Sequence, residues 1–344
     1  MSGVLVNNSL VEIIHAAHTH AIWADLSDLG RVICTDRDRL DLIHRLSTND
    51  TLKLQVGEGC STVFTTAIGR LVDWVVVLNR GEQALMITSR GKTDQIRGWL
   101  QRNVFFNDRF QSKNVGQELG QIGIFGAYSA ELVSHWWAGA ETLPRYHFLE
   151  ASLDEQKPAD KTLLVRVPGL AGDGFWVIGT PGTLESFKLQ LAEHQVIEAN
   201  AEAIEALRIE AGLPESGHEL TDDYIPLELG LWDAVSFHKG CYIGQEIIAR
   251  MESRGKLAKM LVKVEIEAPV PVGSILNDPA GKNAGTLTSV ASMPSINGQT
   301  KQIGLAVVKS AHASPDTSLN ITLENGTNVA VKILELAGVY SPVH

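Results

Sequence analysis

The hydrophobic pattern of this chain changes character near residue 257. Before that point, strand-like apolar runs alternate with helical periodicity, and hairpin turns such as Asn79-Arg-Gly-Glu82 join several of them. After it, short alternating segments such as Val262 to Ile266 are separated by Gly, Asn, Pro and Asp, without helical periodicity. The pattern predicts an α+β region over residues 1–256, in two modules and not a doubly wound parallel sheet. It predicts a small β-barrel or sandwich over residues 257–344.

Length, charge and cysteine content limit the class of protein. A chain of 344 residues suits two or three domains, and a net charge of −11 argues against a surface that coats nucleic acid. Its three cysteines are few and far apart, which favours a reducing compartment without disulfides. No CxxC pair indicates a metal site, the N-terminus lacks a signal-peptide pattern, and no apolar run approaches the ~20 residues of a membrane span. We therefore expect a cytoplasmic protein without a metal ion or a membrane segment.

The stretch Lys239-Gly-Cys-Tyr-Ile-Gly-Gln-Glu246 carries the densest chemistry in the chain. Its glycines allow backbone conformations that other residues resist, and a thiol beside a lysine can have a lowered pKa. Cys241 is thus a candidate nucleophile or redox thiol, although no His–Asp or His–Asn partner is identifiable; burial as a small hydrophobe is the alternative. From Lys239 to Lys263, six basic residues outnumber two acidic ones. Such a strip suits a carboxylate tail, a phosphate or an RNA backbone, or is simply a solvated face.

Glu210 lies at the edge of an apolar helical stripe, and Gly212 is the predicted residue just past that helix. A carboxylate there opposes the negative end of the helix dipole at a cost of about 0.3–1 kcal/mol, which indicates placement for a ligand. A solvated glutamate at a helix end is the alternative. The seven tryptophans are mostly core candidates, of which one or two can stack on a flat ligand.

The Lys239–Glu246 stretch, followed by Ile247-Ile-Ala-Arg250 and Arg254-Gly-Lys256, resembles the motif of the YgfZ family of folate-binding proteins. These are relatives of the glycine cleavage T-protein, an aminomethyltransferase, and their eukaryotic members assist iron–sulfur cluster assembly. Leu207 to Pro214 resembles the pterin-binding stretch of the wider superfamily. The resemblance covers nearly the whole chain. It implies a T-protein-like fold of three modules around a central hole that binds tetrahydrofolate, with a small C-terminal β-barrel.

The resemblance also implies roles for individual residues. Glu210 matches the glutamate that bonds the pterin ring, where a carboxylate accepts two parallel N–H bonds. The folate contacts implied within the motif are Lys239, Tyr242, Gln245, Arg250 and Arg254. In the segment that corresponds to two adjacent aspartates of the T-protein, only Asp73 remains. Asp73 and Cys241 are therefore the catalytic candidates, and the cysteine is absent from the T-protein.

Three hypotheses follow. The first is a tetrahydrofolate-binding protein that supports iron–sulfur enzymes, including those that modify tRNA, with Cys241 as a functional thiol. The second is a folate-dependent aminomethyl- or methyltransferase in which Asp73 steers the attacking group. The third is an RNA-binding module that uses the Lys239–Lys263 strip. The partners that these hypotheses imply are folate, iron–sulfur proteins and tRNA, and none involves a membrane.

Overall fold

The computed structural model of the chain describes residues 8–153, 160–294 and 298–339, and for Arg254 it describes the backbone alone. The α-helices in these ranges are α1 (Leu10–Thr19), α2 (Arg39–Leu46), α3 (Thr93–Arg102), α4 (Ser129–Ser134), α5 (Pro181–Glu193), α6 (Ala201–Ala211) and α7 (Gln245–Arg254). The strands are β1 (Ile22–Asp25), β2 (Gly30–Thr35), β3 (Gly59–Thr65), β4 (Leu71–Asn79), β5 (Gln83–Thr88), β6 (Gln111–Asn114), β7 (Gly120–Gly126), β8 (Phe148–Ala151), β9 (Thr162–Val167), β10 (Asp173–Gly179), β11 (Ile197–Glu198), β12 (Lys259–Ile266), β13 (Ile275–Asn277), β14 (Asn283–Pro294), β15 (Thr300–Lys309), β16 (Ser318–Thr322) and β17 (Asn328–Leu336). None of these helices is long and apolar enough to cross a membrane.

The strands of the first 200 residues form two sheets. One sheet has six strands in the order β11-β1-β7-β10-β9-β8, and the other has five in the order β3-β4-β5-β2-β6. Within the described ranges, every pairing in these sheets is antiparallel except that of β1 with β11. Hairpins join β3 to β4, β4 to β5 and β9 to β10, as expected for layers built from antiparallel neighbours. The α+β prediction is confirmed.

The main apolar core lies between these two sheets. On β4, Val76 and Leu78 face this core, whereas Val75 and Val77 face α2 and α3, because successive side chains of a strand point to opposite faces. Helices α1 and α6 complete the shared core, and α4 and α5 cover the outer face of the six-stranded sheet. The inner faces of both sheets and one face of α6 therefore enclose a common interior.

The strands from Lys259 onward close into a six-stranded barrel in the order β12-β15-β14-β13-β16-β17. Alternate residues of β12, such as Val262 and Val264, fill the apolar interior of the barrel. Ala291 and Met293 on β14 pack against the core that α1 and α6 share. The barrel thus lies against the α+β region, and the prediction of a small C-terminal β-barrel is confirmed.

Helix α7 begins inside the Lys239–Glu246 stretch, at Gln245, where the sequence pattern indicated only a shaped turn. Its N-cap is Gly244 with φ 86°, and a Cβ on this residue would lie 2.7 Å from Thr65 Oγ1. Gly244 therefore needs to be glycine, in agreement with the predicted unusual backbone. Gly240, by contrast, has no positive φ and has room for a Cβ.

Candidate functional site

A central cavity of about 180 Å³ lies between the two sheets and α6. Its walls are mainly apolar and include side chains from both sheets: Leu26, Trp74, Val76, Ile87, Phe125, Val167 and Trp176. Trp74 comes from β4 and Trp176 from β10, so each sheet contributes one indole ring. This volume is below the ~300–1,000 Å³ of pockets for drug-sized ligands, which suits a ring system rather than a whole elongated ligand.

Polar side chains line one part of the cavity. Arg90 lies in the connection between β5 and α3, Arg208 lies on α6, and Glu215 lies in the loop after α6. Arg90 donates through Nε to Asp28 and through Nη1 to Glu215. Glu215 Oε2 also lies 3.4 Å from Arg208 Nε. The cavity therefore combines aromatic walls with a small group of charged side chains, as is typical of sites for flat ligands with a polar edge.

Arg208 lines the cavity, but its guanidinium is bonded to neighbouring residues of the fold. It is 6% exposed and donates to Leu213 O at 2.7 Å, to Glu219 Oε2 at 3.1 Å and to Ser289 Oγ at 2.8 Å. Both carboxylate oxygens of Glu205 accept from the same guanidinium. Because its donors are engaged, Arg208 ties α6 to the following loop and to β14 of the barrel, and Arg90 is the cavity-lining cation with donors to spare.

Asp73 lies behind the cavity wall rather than in it. It is 1% exposed and occupies β4 beside Trp74, whose side chain lines the cavity, so the two side chains point to opposite faces of the sheet. Its Oδ2 accepts from the backbone N–H of Ser89 at 3.2 Å. Burial raises the pKa of Asp73 to about 6, although the hydrogen bonds from Ser89 act to lower it. Asp73 thus holds the Ser89–Arg90 segment in place from behind.

Lys239 occupies a buried position under the C-terminus of α2. Its Nζ donates to His44 O, to Ser47 O at 2.7 Å and to Asn49 O at 2.9 Å. The residue is 8% exposed. The carbonyls of His44 and Ser47 lie at the end of α2, where a helix leaves such groups unpaired and where a cation favours the helix dipole. The Asn49 carbonyl lies beyond the helix and also accepts from the backbone N–H of Thr51 at 3.2 Å. Burial lowers the pKa of Lys239 to about 8. The lysine therefore anchors its own loop and does not reach the cavity.

The neighbours of Lys239 divide between core and surface. Tyr242 packs in a small apolar cluster with Ile225, Leu227 and Ile248, and burial raises the pKa of its hydroxyl to about 12. Cys241 is exposed, and no hydrogen bond of its thiol is present among the described residues. The thiol is thus available to solvent on a loop outside the cavity wall.

The remaining residues of the basic strip are dispersed. Arg250 is exposed and pairs with Glu246 one turn away, at 2.6 Å. Lys259 Nζ lies 4.9 Å from the centre of the Tyr224 ring, and Lys263 Nζ donates to Glu210 O and pairs with Glu335. Gln245 is half-buried at the start of α7, and the Arg254 side chain lies outside the described part of the structure. The strip is therefore not a continuous patch of free cations.

Glu210 lies on α6 one residue before its end, and the predicted C-cap at Gly212 is confirmed by its φ of 73°. Glu210 Oε2 is 3.0 Å from His18 Nε2 on α1, but this oxygen is buried and accepts no hydrogen bond from the described residues. The residues that line the cavity include Ile204 and Arg208 from α6 but not Glu210.

The structure thus separates two groups of predicted residues. Lys239 to Gln245 and Arg250 come together around the start of α7, away from the cavity, while Asp73 supports the cavity from behind. Sequence reasoning selected neither Arg90 nor Glu215, and no motif marks Arg90. The only signal for Glu215 is its place directly after Pro214, at the end of the stretch that resembles a pterin site.

The fold is that of an aminomethyltransferase-like protein with an additional small barrel, and similarity to known proteins confirms the predicted T-protein-like fold. The chain belongs to the family described as the GCVT N-terminal domain, which matches residues 6–239, and residues 259–337 match the CAF17 C-terminal β-barrel domain. The crystal structure of the glycine cleavage system aminomethyltransferase T from Bartonella henselae superposes with a TM-score of 0.81 at 18% identity, covering 95% of this chain and 88% of that one.

Curated relatives are similar over most of the chain. A chloroplastic protein of Arabidopsis thaliana, named as a transferase, is 28% identical over 337 residues, which are 96% of this chain and 75% of the relative. The aminomethyltransferase of Rubrobacter xylanophilus is 29% identical, covering 85% of this chain and 77% of its own. That of Listeria innocua is 27% identical, covering 93% and 87%.

Proposed function

We propose that this chain is a member of the YgfZ group that binds tetrahydrofolate in the central cavity. The observation that carries the proposal is the cavity itself, in which indole rings from two sheets face an interior bordered by the Arg90–Glu215 pair. A pterin has a flat ring for the apolar walls and a polar edge for the charged pair. Membership of the GCVT family supports folate as the ligand class.

Titration of the purified chain with tetrahydrofolate tests this proposal. Because Trp74 and Trp176 line the cavity, we expect a saturable change in tryptophan fluorescence with one ligand bound per chain. Isothermal calorimetry on the same samples should give the same affinity. A titration without saturation at millimolar ligand would contradict the proposal.

We further propose that the protein supports iron–sulfur enzymes, including those that modify tRNA, from a cytoplasmic location. The CAF17-type barrel and the exposed thiol of Cys241 support this role, and the three free cysteines agree with a reducing compartment. Complementation tests it: a strain that lacks the protein should recover iron–sulfur enzyme activity with the parent chain and not with Cys241→Ala. Full recovery with the variant would rule out a role for the thiol.

A folate-dependent aminomethyltransferase is the second candidate, and the aminomethyltransferase relatives favour it. The position of Asp73 counts against it, because this carboxyl lies behind the wall of the cavity. Formation of methylenetetrahydrofolate from an aminomethyl donor, lost in Asp73→Asn, would favour the enzyme. RNA binding by the Lys239–Lys263 strip remains a prediction, and tRNA binding that weakens steeply with salt would support it.

A further inference from the structure

A buried histidine lies next to the loop that carries the exposed Cys241 thiol. His44 belongs to α2, and its ring faces this loop, because a Cβ on Gly240 would lie 3.9 Å from His44 Nε2. Lys239, on the other side of Gly240, donates to the backbone carbonyl of the same histidine. Cys241 is the next residue after Gly240, and adjacent Cα atoms are only about 3.8 Å apart. The fold therefore brings an imidazole from a distant part of the sequence to the cysteine.

The imidazole of His44 has hydrogen-bonding capacity that the described residues do not use. The side chain is 10% exposed, and its Nδ1 lies 3.2 Å from Asp50 Oδ1. This distance allows an ion pair, but the two groups are not aligned, so the buried Nδ1 makes no hydrogen bond within the described ranges. Nε2 has no hydrogen-bond partner there either. A buried polar group without a partner costs stability, which calls for a reason beyond the fold.

The charged groups that face this imidazole favour a neutral ring with an open Nε2. Burial and the ammonium of Lys239 lower the pKa of His44, although the carboxylates of Asp50 and Asp41 act to raise it. Burial acts to raise the pKa of Asp50, but the ammonium of Lys53, at 3.0 Å, and that of Lys239 keep it low. An ionised carboxylate beside Nδ1 favours the tautomer with the proton on that atom, which leaves the lone pair on Nε2. His44 can therefore accept a proton at Nε2.

We propose that His44 is the proton acceptor of the Cys241 thiol and that Asp50 positions its ring. The inference rests on the proposed role of the thiol and deepens it. In this step the S–H bond of Cys241 breaks, the proton passes to His44 Nε2, and the electron pair stays on sulfur. The imidazolium that forms is paired with the Asp50 carboxylate, and the thiolate can bond to a soft electrophile. The structure thus supplies the His–Asp partner that sequence reasoning did not identify for Cys241.

Alkylation of the whole chain by iodoacetamide tests the proton acceptor. The carbon–iodine bond breaks as sulfur bonds to carbon, and mass spectrometry of the peptide that contains Cys241 gives the rate for this thiol alone. At pH 7, His44→Gln should slow the alkylation by roughly tenfold or more, because the thiolate is the nucleophile. At pH 9, above the pKa of about 8.5 of a free cysteine, the parent and the variant should differ by less than about twofold. A change in the structure of the loop would instead alter the rate at both pH values.

Further variants distinguish His44 from its surroundings. His238→Gln, at an exposed histidine of the same loop, should keep the parent rate at both pH values. Asp50→Asn should slow the alkylation at pH 7 and not at pH 9, because its effect passes through the His44 ring. Cys34 is fully buried, and burial raises the pKa of its thiol to about 12, so its peptide should stay unmodified while each sample is folded.

Equal rates of the parent and His44→Gln at pH 7, the same loss at pH 7 and pH 9, or a loss of the same size in His238→Gln would each overturn the assignment of His44. A parent-like rate in Asp50→Asn would overturn the positioning role of Asp50. These results are independent of folate binding and of the role of the thiol in cells. Full complementation by Cys241→Ala would remove the proposed role of the thiol itself, and the alkylation rates show separately whether His44 accepts its proton.

Discussion

The central cavity and the Lys239–Glu246 stretch use reactive side chains in opposite ways. In the cavity, Arg90 and Glu215 retain unused hydrogen-bonding capacity beside an apolar interior. In the stretch, the Lys239 ammonium is engaged by three backbone carbonyls and Tyr242 lies in an apolar cluster, so that only Cys241 faces solvent. A dense motif therefore need not be a ligand site.

The difference has a physical origin. A lysine at the end of a helix gains from its carbonyls and from the dipole, and a glycine with a positive φ allows the close contact of Gly244 with the β3–β4 turn. These demands restrict the sequence of the stretch as strongly as a ligand would. The exposed thiol has no such structural reason, and the functional role that we propose for the motif therefore rests on Cys241.

The largest effect that we predict comes from Lys239→Met. It removes the ammonium donor from three buried carbonyls, of which Asn49 O keeps a second donor in the N–H of Thr51. The free energy of unfolding should fall by about 3 kcal/mol or more. Urea denaturation at pH 7 measures the change. Lys256→Met, at an exposed lysine, should change it little. A loss below about 1 kcal/mol would show that Lys239 is not a structural anchor and is free for a ligand.

The second prediction concerns the burial of the Asp73 carboxyl behind the cavity wall. The pKa of this carboxyl is raised to about 6 from 3.8, so the native state binds its proton more tightly than the unfolded state does. The free energy of unfolding should therefore fall as pH rises from about 4 to about 6, by about 1–3 kcal/mol more in the parent than in Asp73→Asn. Denaturation at several pH values measures this. Asp94→Asn, at an exposed carboxylate, should keep the slope of the parent; equal slopes in all three chains would refute the buried, protonatable state.

The aromatic wall should matter less than the anchors, but its effect should be measurable. Trp176→Ala removes the indole that the six-stranded sheet contributes to the cavity, and we expect the affinity for tetrahydrofolate to fall roughly tenfold. Trp136 packs on the outer face of the same sheet, so Trp136→Ala should not affect the affinity. Calorimetry on folded samples compares the two. Equal affinities of Trp176→Ala and Trp136→Ala would indicate that the ligand does not bind in the central cavity.

The smallest effect should come from Cys241→Ser. Because the thiol is exposed and makes no hydrogen bond among the described residues, the free energy of unfolding should change by less than about 0.5 kcal/mol. Tetrahydrofolate affinity should also be unchanged, while support of iron–sulfur enzymes should be lost in cells. A fall in folate affinity would indicate that the Lys239–Glu246 stretch and the central cavity form one ligand site, which would contradict the separation of the two.

The fold could be predicted further from sequence than the site. Hairpin signals, helical periodicity and the change near residue 257 indicated the α+β layers and the strands of the barrel, because these patterns act locally. Helix α7 escaped prediction, since its N-cap is a glycine and its apolar residues are few. Arg90 and Glu215 lie 125 residues apart in sequence, and only the packing of two loops over the sheets brings them together. Lys239 could be recognised as important from the motif but not as a helix cap, because its acceptors lie about 190 residues earlier.

Hydrogen exchange of the whole chain, with and without saturating tetrahydrofolate, tests most directly that the cavity and not the cysteine loop holds the ligand. Backbone amides report ligand contact segment by segment without any substitution. We predict slower exchange in residues 86–90 and 213–220, which border the cavity, and no change in residues 239–244. Protection confined to residues 239–244 would show that the ligand binds at the Lys239–Glu246 stretch and would contradict binding in the central cavity.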